Sequence, residues 1–444
     1  MKTHTRLLLL LSLLAGIIAA CSPGHLGGSE IAFVRDGRLW TIDPDGANAF
    51  EVVAATSPVI GYAWSPDHHM FVFRQLDRNS PGKSSNQTNI NPLLGVPGDL
   101  PASLNTIGLD GGSPIQIIPS IAGLIQSNAW WNTSGTRLLY REITTNQSNQ
   151  QPIDAQWWVS QNDQPGGIAR KSLPYSFSIP SFASDSSLAI GNSSQGIFTT
   201  TLAGDGFHLL VPGALPGHPL PAALERLLWQ PAHTRPALLY AILSPSSPSQ
   251  PSSPLPPAVD LVLRNADGQV SPIARCACTQ FAWSPDGNSI LYSTGAAYTI
   301  YTLTPRASFA FSAEAGSVPY WSPDSRFILL DGPHTLTLLA TASHQQQLLL
   351  SDGSAVNTVP SMPDATALLQ PASNNLWATD SLHFLLLTRG RTLWQNRHLA
   401  SGNGLYVATI DSAGHIQGSP TLIDSGNDTQ PGWSYEDPNT SFLF

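Results

Sequence analysis

Charge, cysteine and long apolar runs are all scarce in this chain. Charged residues make up 11% of its 444 positions, and only three lysines are present. With a formal net charge of −9, such a surface repels phosphate backbones, which argues against a nucleic-acid partner. Cysteine is limited to Cys21, Cys276 and Cys278, too few for a disulfide-dense scaffold or a four-thiolate zinc site. Motifs of catalysis are also absent: there is no Gly-x-Ser-x-Gly elbow, no His-Glu-x-x-His, no phosphate loop and no dinucleotide fingerprint. The Ser-x-Asp-x-Gly-x-Thr-Trp box of sialidases is missing as well. No catalytic residue, metal ligand or cofactor is therefore assigned, and His68-His69 is expected to face water.

The one extended apolar run, Leu7 to Ala20, follows Lys2 and Arg6. It is too short to span a bilayer comfortably and has the charged-then-apolar layout of a secretory signal. It ends in Ile18-Ala19-Ala20-Cys21, an aliphatic residue and two small ones before Cys, which resembles the lipobox of bacterial lipoproteins. That resemblance implies cleavage after residue 20, acylation of the Cys21 thiol and a folded part outside the cytoplasm, anchored to the cell membrane. Residues 21–29 then form a flexible tether, and 30–444 the folded body.

What is abundant is turn chemistry: 36 glycines and 38 prolines. Phe281-Ala282-Trp283-Ser284-Pro285-Asp286-Gly287 reads as a strand and a turn, with Asn288 to Ser293 as the returning strand. The pattern recurs around Trp64, Trp130-Trp131, Phe182, Trp229, Trp321, Trp377 and Trp433, making eight copies at roughly 40–65-residue spacing. A second turn recurs as Asp45-Gly46, Asp110-Gly111, Asp205-Gly206, Asp267-Gly268 and Ala413-Gly414. Two turns at fixed places per unit predict an all-β fold, a β-propeller of four-stranded antiparallel blades. Eight blades are favoured, with seven the alternative if Pro360 to Thr388 builds no separate blade.

The Trp-Ser-Pro-Asp-Gly unit closely resembles the propeller repeats of the TolB family of bacterial periplasmic proteins and their WD-repeat-like relatives. The resemblance covers most of residues 30–444 and is near-complete at Trp64, Trp283 and Trp321. TolB carries an α/β domain before a six-bladed ring, whereas the first strand here begins about ten residues after Cys21. The family's partner contacts are therefore not transferred. The N-terminus starts with what reads as a second strand and the C-terminus ends with a first, so the two should share one blade and close the ring. Ser441 to Phe444 competes for that second-strand place.

Antiparallel alternation sends first-to-second and third-to-fourth turns to one face of the ring. The four long insertions, 77–102, 145–154, 244–257 and 390–403, all fall between second and third strands and so crowd the other face. Two readings stand there, a binding surface or tolerated insertions. Trp157, Trp158 and Trp394 beside the insertions are candidate stacking residues, although blade packing claims at least one of each alternating pair. Cys276 and Cys278 are either free thiols or a strained disulfide. The expected role is a monomeric binding scaffold at the bacterial envelope for a protein, peptide or glycan. The alternative is an envelope hydrolase or lyase at the mouth of the channel.

Overall fold

The repeated turn closes by its own side chains. Ser284 Oγ accepts the Ser289 N–H at 2.8 Å and donates to the Asp286 carboxylate at 2.5 Å, which in turn accepts the Asn288 N–H at 2.9 Å. Ser65 and Ser322 accept the Met70 and Phe327 N–H groups in the same way, both at 2.9 Å. In the third copy Asn132 substitutes its amide oxygen, accepting from Thr136 and Arg137 at 2.9 and 2.7 Å. Donors that the turn removes from the strand ladder are thus satisfied locally. The last turn position takes positive φ, 69° at Gly287 and 63° at Ser325, which glycine adopts without cost and serine does not.

A computed structural model describes residues 30–434, apart from 55–56, 77–101, 146–151, 162–170, 174–180, 184–186, 193–195, 202–205, 213–226, 232–234, 245–257, 352–375 and the single positions 122, 128, 279, 295, 333 and 389. Its strands form eight antiparallel sheets arranged as a β-propeller. Blade 1 combines Asp428–Trp433 from one end of the chain with Ile31–Arg35, Arg38–Ile42 and Phe50–Val53 from the other. Ile31 pairs with Trp433 and Ala32 with Gly432, so the termini share a blade as the sequence implies. Eight blades are present, not seven. Blade 8 exists because His383–Thr388, Gly404–Thr409 and Thr421–Asp424 form its sheet, with Trp377 bridging to Phe384. Ser441 to Phe444 lie outside the described residues. Gly46, Gly111, Gly206, Gly268 and Gly414 all take positive φ, between 66° and 88°, as the second turn requires.

Two blades depart from the regular plan. In blade 3 the inner strand is split into Leu124–Gln126 and Trp130–Trp131, both pairing with Arg137–Thr145. Between them Ser127 Oγ accepts the Arg141 N–H at 2.9 Å, a side chain standing in for the ladder. The second departure is the insertion at 390–403. It folds as a hairpin, Arg391–Trp394 and Arg397–Ser401, turning through Gln395 and Asn396 at φ 47° and 64°. This hairpin joins not its own blade but the outer edge of blade 7, where Leu350 pairs with Trp394 and Ser351 with Leu393. Blade 7 thereby becomes a six-stranded sheet.

Apolar seams hold neighbouring blades together. Phe71 and Phe73 pack with Ala32, Val34 and Leu39 of blade 1, whereas Val72 packs with Trp131, Leu138 and Tyr140 of blade 3. Side chains of a second strand therefore alternate between the preceding and the following blade. The motif tryptophans add directional bonds. Trp131 Nε1 donates to Ala63 O, Trp283 to Leu228 O and Trp377 to Tyr320 O, at 3.4, 3.2 and 3.0 Å. Each acceptor sits one residue before the motif aromatic of the preceding blade. On the same face the Asp286 and Asp324 N–H groups donate to Ser325 and Ser381 Oγ of the following blade, both at 3.0 Å. Three of the motif tryptophans and two of the motif aspartates thus staple neighbouring blades together.

Candidate functional site

A site requires a break in this symmetry, and the strand register shows where one lies. The eight motif aromatics pair with Ile31, Phe71, Leu138, Leu188, Leu238, Ile290, Ile328 and Phe384. All eight partners are apolar. Three residues further along each second strand stand Val34, Arg74, Arg141, Gly191, Ala241, Ser293, Asp331 and Leu387. Here the pattern breaks, with two arginines, a serine and an aspartate among small or apolar residues. These positions lie past the turn-proximal part of the second strand, on the side of the face that carries the long connections. In blades 2 and 3 the arginines stand shortly before the long connections 77–101 and 146–151.

Arg74, Ser293 and Asp331 are buried, whereas Arg141 is half-buried. Arg74 is 1% exposed, and burial pulls its guanidinium down to about 9 because the charged form loses its hydration. By the alternation above, Arg74 faces blade 3, and Glu142, one position beyond Arg141, faces back toward blade 2 and is also buried. Opposite Glu142 on the inner strand is Gln126, fully buried, with neither amide atom hydrogen-bonded among the described residues. The Arg141 guanidinium lies 5.8 Å from the Trp157 ring centroid, within reach of a cation–π contact. Across the ring Asp331 is buried, and burial followed by the charge of Glu314 pushes its carboxyl well above the ordinary range. Glu314 is held in place by the His334 N–H at 3.0 Å and the Thr335 hydroxyl at 2.8 Å. At the closing seam Arg35 pairs with Asp424 of blade 8 and donates to the buried Asp428 at 2.9 Å.

The candidate tryptophans divide. Trp157 is 0% and Trp394 5% exposed, both within the packed seams, and Trp158 is half-buried. Alternation along the strand explains the first pair, since adjacent residues face opposite sides and Trp157 takes the blade 4 side. Trp158 is left as the member of the set with surface to offer. Cys276 and Cys278, where the outer strand of blade 5 leads into blade 6, are joined as a disulfide with Cα atoms 5.0 Å apart. Cys21 lies outside the described residues, as do most of the insertions at 77–102, 145–154 and 244–257. Among the described residues no group of three or more His, Cys, Asp or Glu is placed to hold a metal ion. The buried charges were not singled out from the sequence. The signal that finds them is a charged residue ending an apolar run, as in Phe71-Val72-Phe73-Arg74, and it appears only once the eight copies are aligned.

No family model matches this chain, and no curated protein does. Solved structures similar to it share about a tenth of its residues. A eukaryotic initiation factor is 12% identical over 92% of this chain and 99% of its own, with a TM-score of 0.49. Oligogalacturonate lyase in complex with manganese is 12% identical over 66% and 79%, with a TM-score of 0.44. TolB from Acinetobacter baumannii is 12% identical over 93% and 68%, with a TM-score of 0.36. Likeness at this level transfers no activity or partner, and the propeller rests on the sheet topology of this chain itself.

Arg74 and Arg141 stand in adjacent blades at the same level, and Asp331 is on the far side of the ring. The buried guanidinium of Arg74 favours acidic or hydrogen-bond-accepting groups. Asp331 feels the charge of Glu314, and Asp424 and Asp428 share Arg35.

Proposed function

We propose that this chain is a lipid-anchored, extracytoplasmic binding scaffold, holding a protein, peptide or glycan on the face that carries its long second-to-third-strand connections. The observation supporting this is the asymmetry between the faces. On the turn face the motif Ser, Asn and Asp side chains close turns and three motif tryptophans act as staples, whereas Arg74, Arg141, Ser293 and Asp331 break the eightfold pattern toward the other face. Function on a rigid repeat scaffold gathers where the repeats differ. The test is crosslinking and capture from native membranes with the full chain and with a variant lacking residues 77–101. A partner captured by the first and lost by the second, at unchanged melting temperature, supports the reading. Capture unaffected by the deletion refutes the assignment of the face.

A second reading, an envelope hydrolase or lyase at the same mouth, draws on Asp331, whose raised carboxyl suits a proton donor. It requires turnover that Asp331→Asn abolishes while partner capture persists.

A further inference from the structure

Cys276 ends the outer strand of blade 5, and Cys278 lies in the crossing to the inner strand of blade 6. This is a blade-to-blade connection, so the bridge between the two cysteines lies on the face opposite the stapled turns. Cys276 pairs with Val259, the first residue of the neighbouring strand, shortly after the connection 245–257. The Ser244 N–H donates to Ala258 O at 3.1 Å and closes the base of that connection. The disulfide therefore stands beside the foot of a Ser/Pro-rich connection rather than inside a blade.

Stability of the fold does not account for it. A disulfide restrains the unfolded chain less as the loop it closes shortens, and these cysteines are only 2 positions apart. The ladder already fixes Cys276 opposite Val259, and an apolar seam that includes Phe281 and Trp283 of blade 6 already holds Cys278. The two residues also differ in access. Cys276 is half-buried at the end of a strand whose outer edge pairs with no further strand among the described residues, whereas Cys278 is 2% exposed. An entering thiolate therefore meets Cys276 first. The one other cysteine in the chain is Cys21, so a thiol freed at Cys278 has its exchange partner two residues away.

We infer that Cys276–Cys278 is an exchangeable disulfide that oxidises a dithiol. One thiolate of the dithiol attacks Cys276 Sγ; the bond to Cys278 breaks, and Cys278 Sγ leaves with the bonding pair and takes up a proton. The second thiolate attacks the dithiol-derived sulfur of this mixed disulfide, and Cys276 Sγ leaves as a thiolate that is protonated in turn. Two electrons pass to the two cysteines, and the dithiol becomes a disulfide. This chemistry does not depend on the binding role proposed above.

The experiment places the folded full chain in glutathione buffers of graded redox ratio. Alkylation and peptide mapping by mass spectrometry read each cysteine separately, and dithiothreitol serves as the dithiol probe. The expected result is a pair that is oxidised as purified and equilibrates with glutathione while far-UV circular dichroism stays unchanged, with stoichiometric oxidation of dithiothreitol. Cys278→Ser should hold a glutathione adduct at Cys276, and Cys276→Ser should lose it. The titration of the unaltered chain decides the case even if a serine variant misfolds. Both thiols free as purified would overturn the assignment. So would a bridge that glutathione reduces only after urea unfolds the chain, a fold lost on reduction, or an adduct formed equally at Cys278 in Cys276→Ser.

Discussion

Trp283 and Trp321 occupy the same place in adjacent blades, yet only the first uses its indole N–H. Replacing each with phenylalanine therefore separates the staple from the ring that carries it. Both rings are buried, at 0% and 5% exposed, so both variants open a cavity of the same origin and lose similar packing. Trp283→Phe additionally leaves Leu228 O without its donor at 3.2 Å. Leu228 lies opposite Leu239 in the strand ladder and keeps that partner, so the lost bond is worth about 0.5–1.5 kcal/mol, and that difference should separate the two variants. Melting temperature is a poor gauge, since a unit of ~400 residues moves only about 1 °C per kcal/mol. Urea unfolding of both variants beside the parent, followed by far-UV circular dichroism, reads the difference as a midpoint shift. Equal losses, or a larger loss in Trp321→Phe, would refute the view that the motif tryptophans act as staples.

Three further outcomes follow from the same geometry. Asp331→Asn should stabilise the fold at neutral pH, because the raised carboxyl makes the native state bind more protons than the unfolded chain; the parent should gain stability as pH falls from neutral, the variant should not, and thermal melts across that range decide it. Arg35→Ala should cost about 3–5 kcal/mol by taking its guanidinium away from the buried Asp428 carboxylate, and adding Asp428→Asn should recover most of it; a loss that the second change does not reduce would assign the effect to packing. Cys21→Ala should move the protein from the membrane to the soluble fraction, and unchanged membrane retention on fractionation would rule out the lipid anchor.

Much of the fold was legible because it is encoded locally and repeated. A Ser or Asn that closes its own turn, a glycine at positive φ and an aromatic before the turn are short-range devices, so eight copies reveal strand order, blade number and the shared closing blade. The site was less legible, since nothing local marks Arg74 or Asp331 as buried. Trp157 and Trp158 show the limit: strand alternation says that they face opposite sides, and the packing of blade 4 decides which one is covered.

From the sequence alone come the repeat, its count, the closure and the sorting of insertions to one face. Tertiary structure decided the rest: the union of Arg391–Trp394 with the edge of blade 7 and the burial of charge at the seams. The reason is one of range. Turn and strand chemistry is settled within a few neighbouring residues, whereas seams join side chains tens to hundreds of residues apart, as with Trp283 and Leu228 or Arg35 and Asp428.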